Sequence, residues 1–206
     1  MNPGAAGPDD LMAAARAAGV RDGRVLEAVR SIPREAFVPA RYAGMAYADE
    51  PVPITHGQVT SQPSLIAAMV AALDLTGRET VLEVGTGYGY QTALLARLAA
   101  QVISIEVWPD MAAQARGNLA GQGIGNAVVI TGDGSQGASG YAPFDAVIVS
   151  AAFPAVPPPL AAQLTAGGRV ARGVHRPGPQ QGQPRPRYAR PAARVRTDFG
   201  HCRAGG

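Results

Sequence analysis

Val81-Leu82-Glu83-Val84-Gly85-Thr86-Gly87-Tyr88-Gly89-Tyr90 is the stretch whose reading decides the fold. It opens as a short apolar run, passes through three alternating glycines, and leads into a helical pattern over residues 90–99. A turn this tight needs positions without a Cβ, so that backbone or ligand can approach closely. The helix after it starts with free N–H groups. A Gly-x-Gly alone also occurs in other α/β turns, so the flanking sequence has to decide.

Downstream, apolar runs at 80–84, 102–106, 127–131, 144–150 and 169–171 alternate with helical patterns at 90–99 and 109–121. Pro109 stands where a first helical turn accepts proline. This alternation predicts parallel βαβ units. The runs are apolar throughout, as in strands covered on both faces by helices. Glu106 ends the second run, 21 residues after Gly85. That is about where dinucleotide folds place a ribose-binding carboxylate. The third run ends in Gly132-Asp133-Gly134 and the fourth begins at Phe144-Asp145. All the run ends fall at the carboxyl edge of the sheet, where open α/β sheets bind ligands. To this point a nicotinamide cofactor and S-adenosylmethionine remain equally open.

Upstream, residues 9–18 and 22–31 read as helices, residues 36–57 as an irregular arm, and 60–75 as a third helix with Pro63 in its first turn. The expected organisation is a helical arm with a substrate loop (1–75), a ligand-binding core (76–171) and a tail (172–206). Residues 1–10 are expected to be disordered. The longest apolar run, 65–73, is too short to span a membrane. The N-terminus lacks the pattern of a signal peptide, and Cys202 is the single cysteine. A cytoplasmic protein without membrane association is expected.

The formal net charge is +3, but it is unevenly distributed. Residues 1–171 hold 10 Arg and 14 acids, whereas 172–206 hold 8 Arg and the single acid Asp198. The basic character is a local property of the tail, so no nucleic-acid partner is expected. His56, His175 and His201 show no metal-ligand spacing, and no metal is expected.

Glu83-Val84-Gly85-Thr86-Gly87-Tyr88-Gly89-Tyr90-Gln91-Thr92-Ala93 resembles the first motif of class I methyltransferases, in the form found in protein-L-isoaspartate (D-aspartate) O-methyltransferases. The segment 32–39, Ile-Pro-Arg-Glu-Ala-Phe-Val-Pro, resembles that family's N-terminal segment. Residues 47–54 and then Gly57-Gln58-Val59-Thr60-Ser61-Gln62-Pro63 resemble its substrate loop, and the latter is the discriminating motif. Residues 132–134, 142–145, 151–157 and 164–169 follow in the family's order, so the resemblance spans roughly residues 20–171.

The resemblance implies a Rossmann-like class I methyltransferase fold and S-adenosylmethionine as cofactor. It further implies methyl transfer to a carboxylate of L-isoaspartyl residues in damaged proteins or peptides, by a monomer. Ser61 would be the catalytic residue, between cofactor and substrate, with Gln62, Pro63 and Ser64 following along the pocket. Glu83, Gly85 and Gly87 would line the cofactor pocket, and Glu106 would accept hydrogen bonds from the ribose hydroxyls. Asp133 would hydrogen-bond the adenine amino group, and Val107 and Gly134 would also be cofactor-binding. Local readings stand beside these: Ser61 as a helix cap, Asp133 as a turn residue, Trp108 as either an adenine neighbour or a core residue.

The family continues after Gly167-Gly168-Arg169 with the rest of a strand, a turn and a final antiparallel pair. The tail, with 8 Arg, 5 Pro and 6 Gly in 35 residues, does not read as that pair and is expected to be disordered. Two alternatives therefore stay open: a methyltransferase for another peptide or small substrate, and a non-catalytic cofactor-binding relative. The tail composition resembles that of a GC-rich reading frame translated out of register, and the hypothesis is a frameshift in the gene or in its sequence record. Sequencing the gene across the codon for Arg172 is expected to reveal a frame-shifting insertion or deletion; an intact frame shared with close relatives overturns that reading.

Overall fold

The computed structural model describes residues 6–151, 153, 155–173 and 195–199, the last of these as backbone. Three helices form the N-terminal arm: α1 (Pro8–Ala17), α2 (Gly23–Ser31) and α3 (Pro63–Ala71). The first turn of α1 takes residues 8–10 out of the stretch expected to be disordered; Gly7 N donates to Asp10 Oδ2 at 2.7 Å there. Asp22 caps α2 by accepting from Arg24 N at 2.8 Å. The irregular arm between α2 and α3 is built from short 3-10 turns at Arg34–Phe37, Ala40–Met45 and Thr55–Gly57.

The sheet contains β1 (Thr80–Val84), β2 (Gln101–Glu106), β3 (Ala127–Thr131), β4 (Phe144–Val149), β5 (Leu164–Gly173) and β6 (Val195–Phe199), in the spatial order β3-β2-β1-β4-β5-β6. The first five are parallel; β6 runs antiparallel to β5. Helix α4 (Tyr90–Leu98) connects β1 to β2, and α5 (Pro109–Gly121) connects β2 to β3. A short α6 (Pro158–Ala162), not anticipated from the sequence, precedes β5.

The C-terminal region differs from the expectation in one respect. The tail does supply a strand, β6, which pairs Arg169 with Phe199 through Gly173 with Val195. One antiparallel strand thus stands among the described residues where the family pattern has a pair. An edge strand needs partners on one side only and tolerates charge, so Val-Arg-Thr-Asp-Phe passes as a strand without the apolar run of a central one. The remaining tail positions expected to be disordered, 174–194 and 200–206, lie outside the described residues, as do residues 1–5, His175, His201 and Cys202.

Strand alternation sorts the sheet residues onto two faces. Val81, Val102, Ala146 and Ile148 pack with Leu94 and Leu95 of α4 and the arm. Leu82, Val84, Ile103, Ile105, Val147 and Val149 pack on the other face, with Leu160 of α6. Glu83 shares the α4 face with Val81 and stands in register with Ser104 of β2. Its carboxylate is fully buried. Oε1 accepts from Gln91 Nε2 at 2.8 Å; Oε2 accepts from Thr92 Oγ1 at 2.5 Å and Ser104 Oγ at 2.6 Å. Thr86 Oγ1 and Ser104 Oγ are hydrogen-bonded at 2.5 Å, which extends the network into the glycine turn.

Burial pushes the Glu83 carboxyl up to about 7, against the opposing pull of its Ser104, Thr92 and Gln91 hydrogen bonds. Glu79, just before β1, shows the opposite balance. Burial there would raise its value, but hydrogen bonds from the Thr76 hydroxyl and the backbone N–H groups of Thr76, Glu79 and Gly77 outweigh it and hold the carboxyl at about 2.

The two acids impose opposite pH slopes on stability. From the unfolded value of about 4.3 up to about 7, folded Glu83 keeps a proton that the unfolded chain has lost, so stability falls as pH rises. Glu79 contributes stability that is complete above about 4.3 and disappears as pH falls through about 2. Glu83→Gln is therefore expected to flatten the decline between pH 5 and 7, and Glu79→Gln the acid-side loss, in urea unfolding measured across pH. Unchanged slopes would contradict the assigned networks.

Candidate active site

A cavity of about 430 Å³ opens at the carboxyl edge of the sheet. It lies where the strand order reverses between β1 and β4, the usual ligand crevice of an open α/β sheet. The ends of β1, β2 and β4, the turn after β3 and the segment before α3 all reach it. Ser61, Gly85, Gly87, Glu106, Val107, Asp133 and Gly134 line it together.

Two glycines shape its floor. Gly85 has φ +95°, and a Cβ there would lie 3.2 Å from Ala151 N. A Cβ on Gly134 would collide with Val84 Cγ1. A side chain at either position would strain the turn or displace a strand residue that lines the cavity.

Glu106 is 5% exposed and its carboxylate is already oriented. Oε2 accepts from Gly87 N at 2.8 Å, and Oε1 accepts from Trp108 N at 3.1 Å. A carboxylate has about four acceptor sites, so about two remain for hydroxyl donors from a ligand. Asp133 caps the short turn at Gly134–Gln136: Oδ1 accepts from Ser135 N at 2.9 Å and Oδ2 from Ser135 Oγ at 2.9 Å. Those bonds hold its carboxyl below the ordinary range. The local and the ligand-facing readings of Asp133 are thus compatible, since it also lines the cavity.

Other sequence-derived residues sit elsewhere. Glu83 lies beneath the glycine turn, in the buried network described above, and does not line the cavity. Gln62, Pro63 and Ser64 do not line it either. Pro63 is the first residue of α3. Gln62 Nε2 donates to Asp49 Oδ2 at 2.8 Å, and Ser64 N donates to Asp49 Oδ1 at 2.8 Å. Ser61 borders both this cavity and a smaller one of about 80 Å³, which Tyr90, Gln91 and Ser150 also line.

Several contacts carry no signal in the sequence. Gln91 links the floor to β4: Nε2 donates to Ser150 Oγ at 2.8 Å as well as to Glu83. His56 stacks on Trp108 with ring centroids 4.0 Å apart and planes 5° apart. His56 Nε2 lies 2.9 Å from both Asp110 carboxylate oxygens. The tip of the substrate loop is thereby tied to the start of α5, with Trp108 lining the cavity. A His in a short loop and a Trp after β2 give no sequence signal of meeting, because they stand 52 positions apart.

Among the described residues no group of three His, Cys, Asp or Glu side chains is arranged to hold a metal ion. Among them, too, no helix is long and apolar enough to cross a membrane.

Comparison with known proteins agrees with this geometry. The sequence model of the protein-L-isoaspartate(D-aspartate) O-methyltransferases matches residues 7–198, a wider span than the motifs alone covered. A protein-L-isoaspartate O-methyltransferase of Methanoculleus marisnigri is 47% identical over 182 residues, covering 88% of this chain and 81% of that protein. One from Anaeromyxobacter dehalogenans is 54% identical over 153 residues, covering 74% of this chain and 73% of that one. A solved protein-L-isoaspartate O-methyltransferase superposes with TM-score 0.70 at 30% identity, covering 80% of this chain and 54% of its own. A Plasmodium falciparum structure in complex with S-adenosyl-L-homocysteine has the same fold, with TM-score 0.70 at 21% identity over 82% of this chain and 84% of its own. With the motifs in family order, the sheet arranged as in a Rossmann-like methyltransferase and the family model matched along nearly the whole chain, this protein belongs to the protein-L-isoaspartate (D-aspartate) O-methyltransferase family.

Proposed function

We propose that this chain transfers a methyl group from S-adenosylmethionine to a carboxylate of L-isoaspartyl residues in damaged proteins and peptides. The observation that carries this reading is the meeting of Ser61, from the substrate loop, with Gly85, Glu106 and Asp133, from three strand ends, around one cavity. Its volume of about 430 Å³ suits a cofactor of this size, within the general range of about 300–1,000 Å³.

The residues present fit the cofactor. Glu106 offers acceptor sites for the ribose hydroxyls, held in place by Gly87 N and Trp108 N. Asp133 offers an acceptor for the adenine amino group. Gly85 and Gly134 let the turns that line the cavity pack directly against residues 150–151 and Val84, which a Cβ at either position would push away. Val107 and Trp108, 59% and 40% exposed, give the cavity an apolar wall. When bound, S-adenosylmethionine supplies an electrophilic methyl group on a positively charged sulfur.

The accepting carboxylate is ionised at neutral pH, with an ordinary value of about 3–4. No general base is needed, and among the described residues no histidine lines the cavity. What the protein contributes is alignment and exclusion of water. Ser61 is suited to donate a hydrogen bond that orients the carboxylate rather than to form a covalent bond. Ile54, Val59 and Leu65 close the same side with apolar surface.

Labelled S-adenosylmethionine with matched isoaspartyl and aspartyl peptides tests the reading: transfer selective for the isoaspartyl peptide is expected. Cofactor binding without transfer to either peptide would favour a non-catalytic relative, and transfer to a different carboxylate a specialised enzyme. Ser61→Ala is expected to lower kcat about 10–100-fold, the scale of lost alignment, with cofactor affinity little changed. Full kcat in that variant would remove Ser61 from the mechanism. Glu106→Ala is expected to weaken cofactor binding by about 10–100-fold, the worth of hydrogen bonds to a charged group, measured by calorimetry.

A further inference from the structure

We infer that Arg34 and Asp49, which do not line the cavity, clamp the Ser61 segment from both sides and act as positioning residues for methyl transfer. This inference rests on the function proposed above; the clamp itself rests on geometry.

Arg34 is 0% exposed, although it carries a full charge and lies 27 residues before Ser61. Four hydrogen bonds leave its two terminal nitrogens. Nη1 donates to Ala46 O at 2.9 Å and Ala48 O at 3.0 Å. Nη2 donates to Glu50 O at 3.0 Å and Thr60 Oγ1 at 3.0 Å. The same Thr60 hydroxyl accepts from Val52 N at 3.0 Å, and Thr60 N donates to Val52 O at 2.8 Å. One guanidinium therefore ties the 46–50 turn to the residue immediately before Ser61.

Asp49 supplies the other jaw. It stands in the turn whose carbonyls Arg34 gathers, and its two carboxylate oxygens accept from Gln62 Nε2 and Ser64 N, each at 2.8 Å. Ser64 N is an N–H of the first turn of α3, which has no partner within its own helix. Ser61 is held on one side through Thr60 and on the other through Gln62 and Ser64. Placing a charged group in a fully buried position is costly unless it is hydrogen-bonded and paired. Burial lowers the Arg34 pKa, and the neighbouring Tyr90 and Asp49 act to raise it.

A guanidinium reaches four acceptors because its donors form a rigid planar fork. An ammonium at the same place is a single point with three donors. Arg34→Lys therefore keeps the charge and loses the span. For Asp49 the conservative change is Asp49→Asn, which retains one oxygen for Ser64 N and a side-chain amide that can pair with Gln62. Asp49→Ala removes both contacts.

The test compares these full-length variants with the unaltered protein by steady-state kinetics, cofactor calorimetry and amide hydrogen exchange. Arg34→Lys and Asp49→Ala are expected to lower kcat about 10–100-fold, as loss of a positioned group does. Their cofactor affinity should stay within about threefold of wild type, a change of under about 1 kcal/mol. Asp49→Asn should recover most of the activity lost in Asp49→Ala. Exchange should quicken at residues 46–50 and 58–64 and stay unchanged along β1 and β2. Loss of cofactor affinity in parallel with kcat, or faster exchange throughout the sheet, would mean a general structural role and overturn the inference. So would unchanged kcat in Arg34→Lys. If the unaltered protein transfers no methyl group to isoaspartyl peptide, the proposed function fails and the exchange pattern alone decides whether the clamp exists.

Discussion

The buried carboxylate of Glu83 fixes where everything at the carboxyl edge of the sheet can be. It joins β1 to β2 through Ser104 and both strands to the first turn of α4 through Gln91 and Thr92. Three donors converge on two oxygens in a place that water does not reach, where an unmade hydrogen bond costs roughly 1–3 kcal/mol. The glycine turn is caught between these anchors, with Gly85 N bonded to Ile105 O and Thr86 Oγ1 to Ser104 Oγ. The cavity floor is thus set by a polar network lying under it. Strand parity explains why: Glu83, Ser104 and Glu106 share one face of the sheet, and only Glu106 stands far enough along β2 to reach the opening.

This parity also marks how much the sequence could reveal. The βαβ rhythm, the strands up to β4 with the middle of β5, and the strand ends carrying Glu106 and Asp133 are all legible, because apolar runs and glycine turns are local signals. The direction a side chain takes after a turn is not local. Glu83 lies in the recognised motif yet faces the floor, and the Gln62 side chain follows Ser61 in sequence yet turns toward Asp49. Contacts such as Arg34 with Thr60 or His56 with Trp108 join residues far apart in the chain, and periodicity carries no record of them. β6 escapes a sequence reading for a different reason. Its composition lacks the apolar run of a central strand, and its place at the sheet edge does not require one.

The two walls of the cavity are built on different principles. The cofactor wall consists of strand ends that are cross-linked along the whole sheet, so their spacing follows from the ladder itself. The substrate wall is an arm of short 3-10 turns with a single β-bridge, Pro53 to Val59, among the described residues, and has no ladder to set its position. Its geometry has to come from side chains. Arg34 and Asp49 hold its base, and the His56–Trp108 stack with Asp110 holds its tip against α5.

That division suits a reaction in which alignment does most of the work. An ionised carboxylate needs no proton removed, so the rate depends on how well it is aimed along the axis of the bond that breaks, and misplacement by about 1 Å can cost on the order of 100-fold. A loop held only by its own backbone would sample more positions than that tolerance allows. The buried Arg34 and the half-buried Asp49 restrict it without lining the cavity. The arm can therefore remain irregular, while the segment that carries Ser61, the hydroxyl proposed to orient the substrate, is bonded from behind to Arg34 and Asp49.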